Sequence, residues 1–115
     1  MIYTCIKDYT SPYPDSIPFR KGELVTVGEE FGEDPDWQDW INCQGSNGRK
    51  AWVPKQFLSI EEEKGTFTRD YDARELTIRV GEELLIREIV NGFGLAENAD
   101  GQRGWVPMKH LVKKT

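Results

Sequence analysis

Histidine occurs once in this chain, at His110, and cysteine twice, at Cys5 and Cys43. A lone histidine supports neither a histidine metal cluster nor a catalytic dyad. Two cysteines in 115 residues make no disulfide scaffold. Both fall where a strand would face a core, and a buried free thiol behaves as a small hydrophobe. No apolar run approaches the roughly 18 residues of a membrane span. Met1 to Ile6 lacks the charged region and apolar core of a secretion signal and reads as a strand. The expectation is therefore a cytosolic protein with no membrane partner.

Positive charge is also short. Fifteen Lys and Arg face 20 Asp and Glu, a net charge of −5. Residues 1–60 carry −3 and residues 61–115 carry −2. Neither half suits a nucleic-acid backbone, and an acidic surface favours cationic partners. Catalytic patterns are missing too: there is no Ser-His-Asp set, Cys-His pair, phosphate loop or metal-ligand spacing. The glycines of Asn91-Gly92-Phe93-Gly94 open no helix, so they are no nucleotide fingerprint. The carboxylates scattered from Glu29 to Asp39 lack the fixed loop pattern of a calcium site and read as a solvated face. No enzyme activity, cofactor or metal is expected.

Helical periodicity is absent throughout, and Pro12, Pro14 and Pro18 forbid a helix in the long run from Lys7 to Lys21. What the chain does contain is a repeat. Ala51-Trp52-Val53-Pro54-Lys55-Gln56-Phe57-Leu58 returns as Gly104-Trp105-Val106-Pro107-Met108-Lys109-His110-Leu111. In each copy an aromatic strand residue and a valine run into a proline that ends sheet pairing. One 3₁₀ turn then fits before the next strand. Such a turn would set Trp52, Pro54 and Phe57 on one outer face, with Val53 and Leu58 inward, and an apolar ring-lined patch signals recognition.

The rest of the chain repeats around these stretches. Ile17 and Phe19 share the spacing of Leu76 and Ile78, and Arg20-Lys21-Gly22-Glu23 matches Arg79-Val80-Gly81-Glu82. Strands are expected at residues 2–6, 24–27, 40–43, 49–53 and 58–60, then at 67–69, 84–86, 93–96, 102–106 and 111–112. Tight turns are expected at Asn47-Gly48 and Asp100-Gly101. The copies shorten relative to each other only in loops, where deletions belong. The fold expected is all-β, two small five-stranded barrels in tandem. Domain 1 would span residues 1–60 and domain 2 residues 66–115. Glu61 to Gly65 would be a short linker holding the halves close.

Both halves resemble SH3 domains of a divergent, variant type, over nearly the whole chain. The family's A-L-Y-D-Y stands as Cys5-Ile6-Lys7-Asp8-Tyr9 and Phe67-Thr68-Arg69-Asp70-Tyr71. Its W-W-x-[AV] strand stands as Trp40-Ile41-Asn42-Cys43 and Phe93-Gly94-Leu95-Ala96. The two proline stretches match its G-[FYW]-[VI]-P-x-x-[YF]-[VL]. The resemblance implies a binding groove of Tyr9, Trp40, Trp52, Pro54 and Phe57 in the first half. In the second it implies Tyr71, Phe93, Trp105, Pro107 and His110. A stiff polyproline-II peptide loses little entropy on docking between such rings. Asp15, Asp36 and Asp39 would pair with a ligand Arg or Lys. Trp37 either edges the groove or covers the barrel.

Two departures stand out. A cation, Lys7 or Arg69, replaces a tyrosine wall in each half, and Phe93 and His110 replace a Trp and a Tyr in the second. The implied function is a protein or peptide partner, proline-rich and carrying Arg or Lys, bound mainly by domain 1. The rivals are a structural or self-associating SH3-like protein, and a cell-wall-binding module. Cys5 with Cys43, against Phe67 with Ala96, reads as one core volume filled two ways.

Overall fold

The computed structural model describes residues 1–31, 39–46 and 48–114. Among them are twelve strands and no α-helix. The chain folds as two compact units, and these are not the two sequence halves. One unit is contiguous, Ile17–Ala73. The other is discontinuous, Met1–Ser16 with Arg74–Thr115. The chain thus leaves the discontinuous unit after Ser16 and rejoins it at Arg74.

The discontinuous unit opens with β1 (Ile2–Cys5). The contiguous unit follows, with β2 (Pro18–Phe19), β3 (Leu24–Phe31), β4 (Trp40–Gly45), β5 (Lys50–Pro54), β6 (Leu58–Glu61), β7 (Lys64–Phe67) and β8 (Tyr71–Asp72). A 3₁₀ turn, Lys55–Phe57, follows Pro54 as the proline requires. The main sheet runs β5-β4-β3-β7-β6, and β2 pairs with β8 beside it. Residues 61–65 are therefore not a linker. Leu58 faces Phe67, Ile60 faces Gly65 and Glu61 faces Lys64, so Glu62 and Glu63 form the two-residue turn of a hairpin. Glu62 takes the left-handed φ of 57° that the turn requires. The strand expected at 67–69 instead ends at Phe67. The unit's two ends meet, with the Ala73 amide donating to the Ile17 carbonyl at 3.1 Å.

The discontinuous unit resumes with β9 (Glu83–Val90), β10 (Phe93–Glu97), β11 (Arg103–Pro107), a 3₁₀ turn at Met108–His110, and β12 (Leu111–Lys113). Its sheet runs β11-β10-β9-β1-β12, strand for strand the order of the other. The N-terminal strand β1 lies between β9 and β12, both from the second half of the sequence. In the same way β7, which opens the second repeat, lies between β3 and β6 of the first. Each repeat has lent its opening strand to the other.

The cores follow this exchange. Cys5 packs with Leu76, Ile78, Leu84, Ile86, Ala96, Val106 and Leu111 in the discontinuous unit. In the contiguous unit Phe67 stacks on Phe19, with ring centroids 4.7 Å apart. The pairing of Cys5 with Cys43 in one core is thereby overturned, since Cys5 shares its core with Ala96. Both thiols are free and 1% exposed, as their strand positions imply. Burial pushes the Cys43 thiol up to about 12 and raises that of Cys5. Asn47 lies outside the described residues, but Gly48 (φ 82°) and Gly101 (φ 81°) have the left-handed backbone of the expected turns.

Candidate functional site

In the contiguous unit, register sets the site. Trp40 faces Pro54 and Asn42 faces Trp52, so Trp40, Pro54 and Trp52 share one face of the β4–β5 hairpin. The 3₁₀ turn after Pro54 carries Phe57, which is buried. The tyrosine that completes the set is Tyr71, not Tyr9. Its ring meets Phe57 edge-on at 5.5 Å, and its hydroxyl donates to the Trp52 carbonyl at 3.1 Å. Tyr9 belongs to the discontinuous unit, where it meets His110 edge-on at 5.4 Å. The sequence-based sets therefore trade tyrosines, and the cause is the β6–β7 hairpin.

Burial corrects a second expectation. Trp40 is 3% exposed, Phe57 5% and Tyr71 6%, and Pro54 is fully buried, so these rings do not form an open patch. Trp52 alone of this set keeps an intermediate share of its surface in solvent. Trp40 is buried although it lies on the face of its strand opposite Ile41 and Cys43.

Arg69 packs over Phe57. Its guanidinium lies 4.3 Å from the Phe57 ring centroid. The preceding residue holds it there, since the Thr68 amide and hydroxyl both donate to the Phe57 carbonyl, at 2.9 and 3.1 Å. The nearby acids are engaged in the fold. Asp70 accepts from the Lys21 amide at 2.9 Å, and Asp72 from the Ile17 amide at 2.8 Å. Asp39 is exposed just before Trp40, has a φ of 65°, and its carbonyl accepts from the Lys55 amide at 2.8 Å. Asp36 and Trp37 lie outside the described residues.

In the discontinuous unit, Phe93 faces Pro107 and Leu95 faces Trp105. Phe93, Trp105, Pro107 and His110 are all buried, and Tyr9 is half-buried. The segment entering at Arg74 lies against Trp105. The Trp105 amide donates to the Arg74 carbonyl at 2.9 Å, and the Leu76 amide to the Trp105 carbonyl at 3.2 Å. Glu75 is buried here and accepts a hydrogen bond from the Tyr9 hydroxyl. Burial pushes its carboxyl up to about 7, against the opposing pull of that bond. Burial and the Glu75 carboxylate together raise the Tyr9 phenol well above its ordinary value. His110 places Nδ1 3.1 Å from the Lys7 carbonyl, a contact made with a proton on that nitrogen. Asp15 is exposed in this unit, so it does not share a unit with Trp40 and Trp52.

The Tyr9–Glu75 bond and the Arg69–Phe57 contact went unread in the sequence. The available signals were a carboxylate beside apolar Leu76, and a cation where the family sets a ring.

The variant SH3 domain family matches residues 2–61 and again residues 65–113. Searches of curated proteins and of solved structures find no match. The family match follows the sequence repeats, while the two spatial units follow the exchanged strands. With two matches spanning nearly all of it, the chain belongs to the variant SH3 domain family.

Proposed function

We propose that this is a non-enzymatic protein-interaction module whose contiguous unit takes an extended, proline-rich peptide carrying an Arg or Lys. SH3-type domains are in general binding modules rather than catalysts, and the net charge of −5 favours a cationic ligand over nucleic acid or an anionic membrane. The observation that carries this reading is Trp52. It is partly exposed, on one face with Trp40 and Pro54, and its backbone is fastened by Tyr71. A preformed polyproline-II segment could lay a proline ring on such an indole at little entropic cost. Asp39 and Asp72, both exposed, adjoin Trp40 and Tyr71 in the chain and give a ligand cation acidic neighbours.

The test is an HSQC titration with proline-rich peptides. Shifts centred on Trp52 and Tyr71, lost in Trp52→Ala, support the reading. A second reading rests on the burial of Trp40, Phe57, Tyr71, Phe93 and Trp105. Rings so covered serve packing, and the protein then acts structurally or by self-association. An absence of shifts at millimolar peptide, with a concentration-dependent mass in light scattering, would favour this second reading.

A further inference from the structure

We infer that Arg69 is a built-in occupant of the peptide groove in the contiguous unit, closing one of its slots until a ligand displaces it; this rests on the peptide-binding reading above. The guanidinium lies over Phe57 at 4.3 Å, within the range of a cation–ring attraction. Tyr71 meets the same ring at 5.5 Å, and the ring is left 5% exposed. A proline ring seeking the Phe57 side of the groove therefore finds a side chain of this protein already there.

Three features hold the occupant. Thr68 clamps the end of the 3₁₀ turn with two hydrogen bonds to the Phe57 carbonyl. That fixes the backbone one residue before Arg69. The Arg69 Nε also donates a long hydrogen bond, 3.4 Å, to the Asp70 carbonyl, turning the side chain back on its own strand end. Asp70 in turn accepts from the Lys21 amide at 2.9 Å, so this support is tied to the loop opposite.

The discontinuous unit provides an internal comparison. There the Ile6 amide donates to the His110 carbonyl at 2.8 Å, the same backbone clamp. Lys7 stands where Arg69 does, yet it meets His110 through its carbonyl, at Nδ1. The difference has a physical reason. A planar guanidinium stacks on an aromatic face and sheds water more readily than a compact ammonium. Arginine suits the role of occupant, and lysine does not fill it in the same way.

An occupant of this kind sets specificity. The ligand must offer Phe57 more than the guanidinium does, or lie mainly on Trp52. Removing the guanidinium removes that competition. A cation–ring contact of ordinary strength corresponds to about three- to tenfold in affinity.

The experiment compares wild type, Arg69→Gln and Arg69→Lys in the full chain. The probe is a synthetic ten-residue peptide alternating proline and alanine, with one terminal arginine. Binding is read from the Trp52 indole shift in HSQC spectra, whose dispersion also reports folding. Arg69→Gln should bind about three- to tenfold tighter, with Arg69→Lys between it and wild type. Lys7→Gln should match wild type. Equal or weaker binding by Arg69→Gln overturns the inference while leaving the peptide reading intact. Tighter binding of an acidic peptide by wild type than by Arg69→Gln also overturns it, since Arg69 would then be a ligand contact. If neither protein shifts Trp52 at millimolar peptide, the peptide reading itself fails and the inference falls with it.

Discussion

Leu58 and Phe67 are cross-strand partners, nine residues apart in sequence, at the start of β6 and the end of β7. Leu58 closes the first repeat and Phe67 opens the second. Their pairing fixes where the chain changes unit, because a strand that folds straight back on its predecessor stays in the sheet that holds that predecessor. With only Glu62 and Glu63 between paired residues, the chain turns within one sheet.

Residues 17–73 should therefore fold alone, and residues 1–60 should not. The first fragment holds every strand of one sheet and a closing hydrogen bond between its ends. The second lacks β7 and its Phe19–Phe67 stack, while carrying an unpartnered β1. Amide dispersion and a cooperative melt for 17–73, against a collapsed spectrum for 1–60, is the expected outcome. A well-dispersed 1–60 fragment would refute the exchange.

Peptide affinity at Trp52 should depend on Tyr71 and not on Tyr9. Tyr71→Phe removes one hydrogen bond to the Trp52 carbonyl, worth on the order of 1 kcal/mol, and should broaden or shift the Trp52 signals. Tyr9→Phe should leave those signals in place. Trp40→Ala should act mainly on stability, by about 3–5 kcal/mol, because the ring is buried. Denaturant melts of the variants, run beside their titrations, separate the two effects.

Glu75 should make stability fall with pH. Its folded pKa of about 7 lies above the ordinary carboxyl value of 4.5. The carboxyl is protonated in both states below about pH 4.5. Between 4.5 and 7 the unfolded chain ionises first, so unfolding gains, and above 7 the full penalty applies. The penalty is at most on the order of 3 kcal/mol. Urea melts of wild type and Glu75→Gln at pH 5 and pH 8 provide the check. Relative to wild type, the variant should be more stable at pH 8 than at pH 5. A pH-independent difference would show that Glu75 carries its charge freely.

The cysteines should resist thiol reagents. Cys5 and Cys43 are each 1% exposed, and burial raises both thiols above their ordinary value, which suppresses the reactive thiolate. Labelling should proceed only through opening of each unit and accelerate with denaturant. Immediate reaction in native buffer would contradict the burial.

Gly104→Ala should destabilise the discontinuous unit by about 1–3 kcal/mol, read as a lowered melting temperature. An added Cβ would stand 2.9 Å from Leu76 Cγ, 3.0 Å from the Leu76 amide nitrogen and 3.2 Å from the Arg74 carbonyl. Two of these are backbone atoms that cannot step aside. At the matching position the contiguous unit carries a buried alanine, Ala51.

By itself the sequence determined the local elements. Strand position placed Cys5, Cys43 and Val53 inward, the prolines ended β5 and β11, and the glycines marked the turns. These are short-range effects, fixed by dihedral limits and by which side of a strand a residue occupies. The family followed from motifs in order, which do not depend on how strands are shared. Only the tertiary structure decided which strands share a sheet. The two opening strands, β1 and β7, each end on a buried residue, Cys5 or Phe67, and take corresponding positions in their sheets. The choice falls to chain connectivity, since a two-residue turn holds β7 against β6. From that choice follow the traded tyrosines and the seating of Arg69 on Phe57. Neither is a property of a residue or its neighbours in sequence; each depends on which surfaces the exchange brings together.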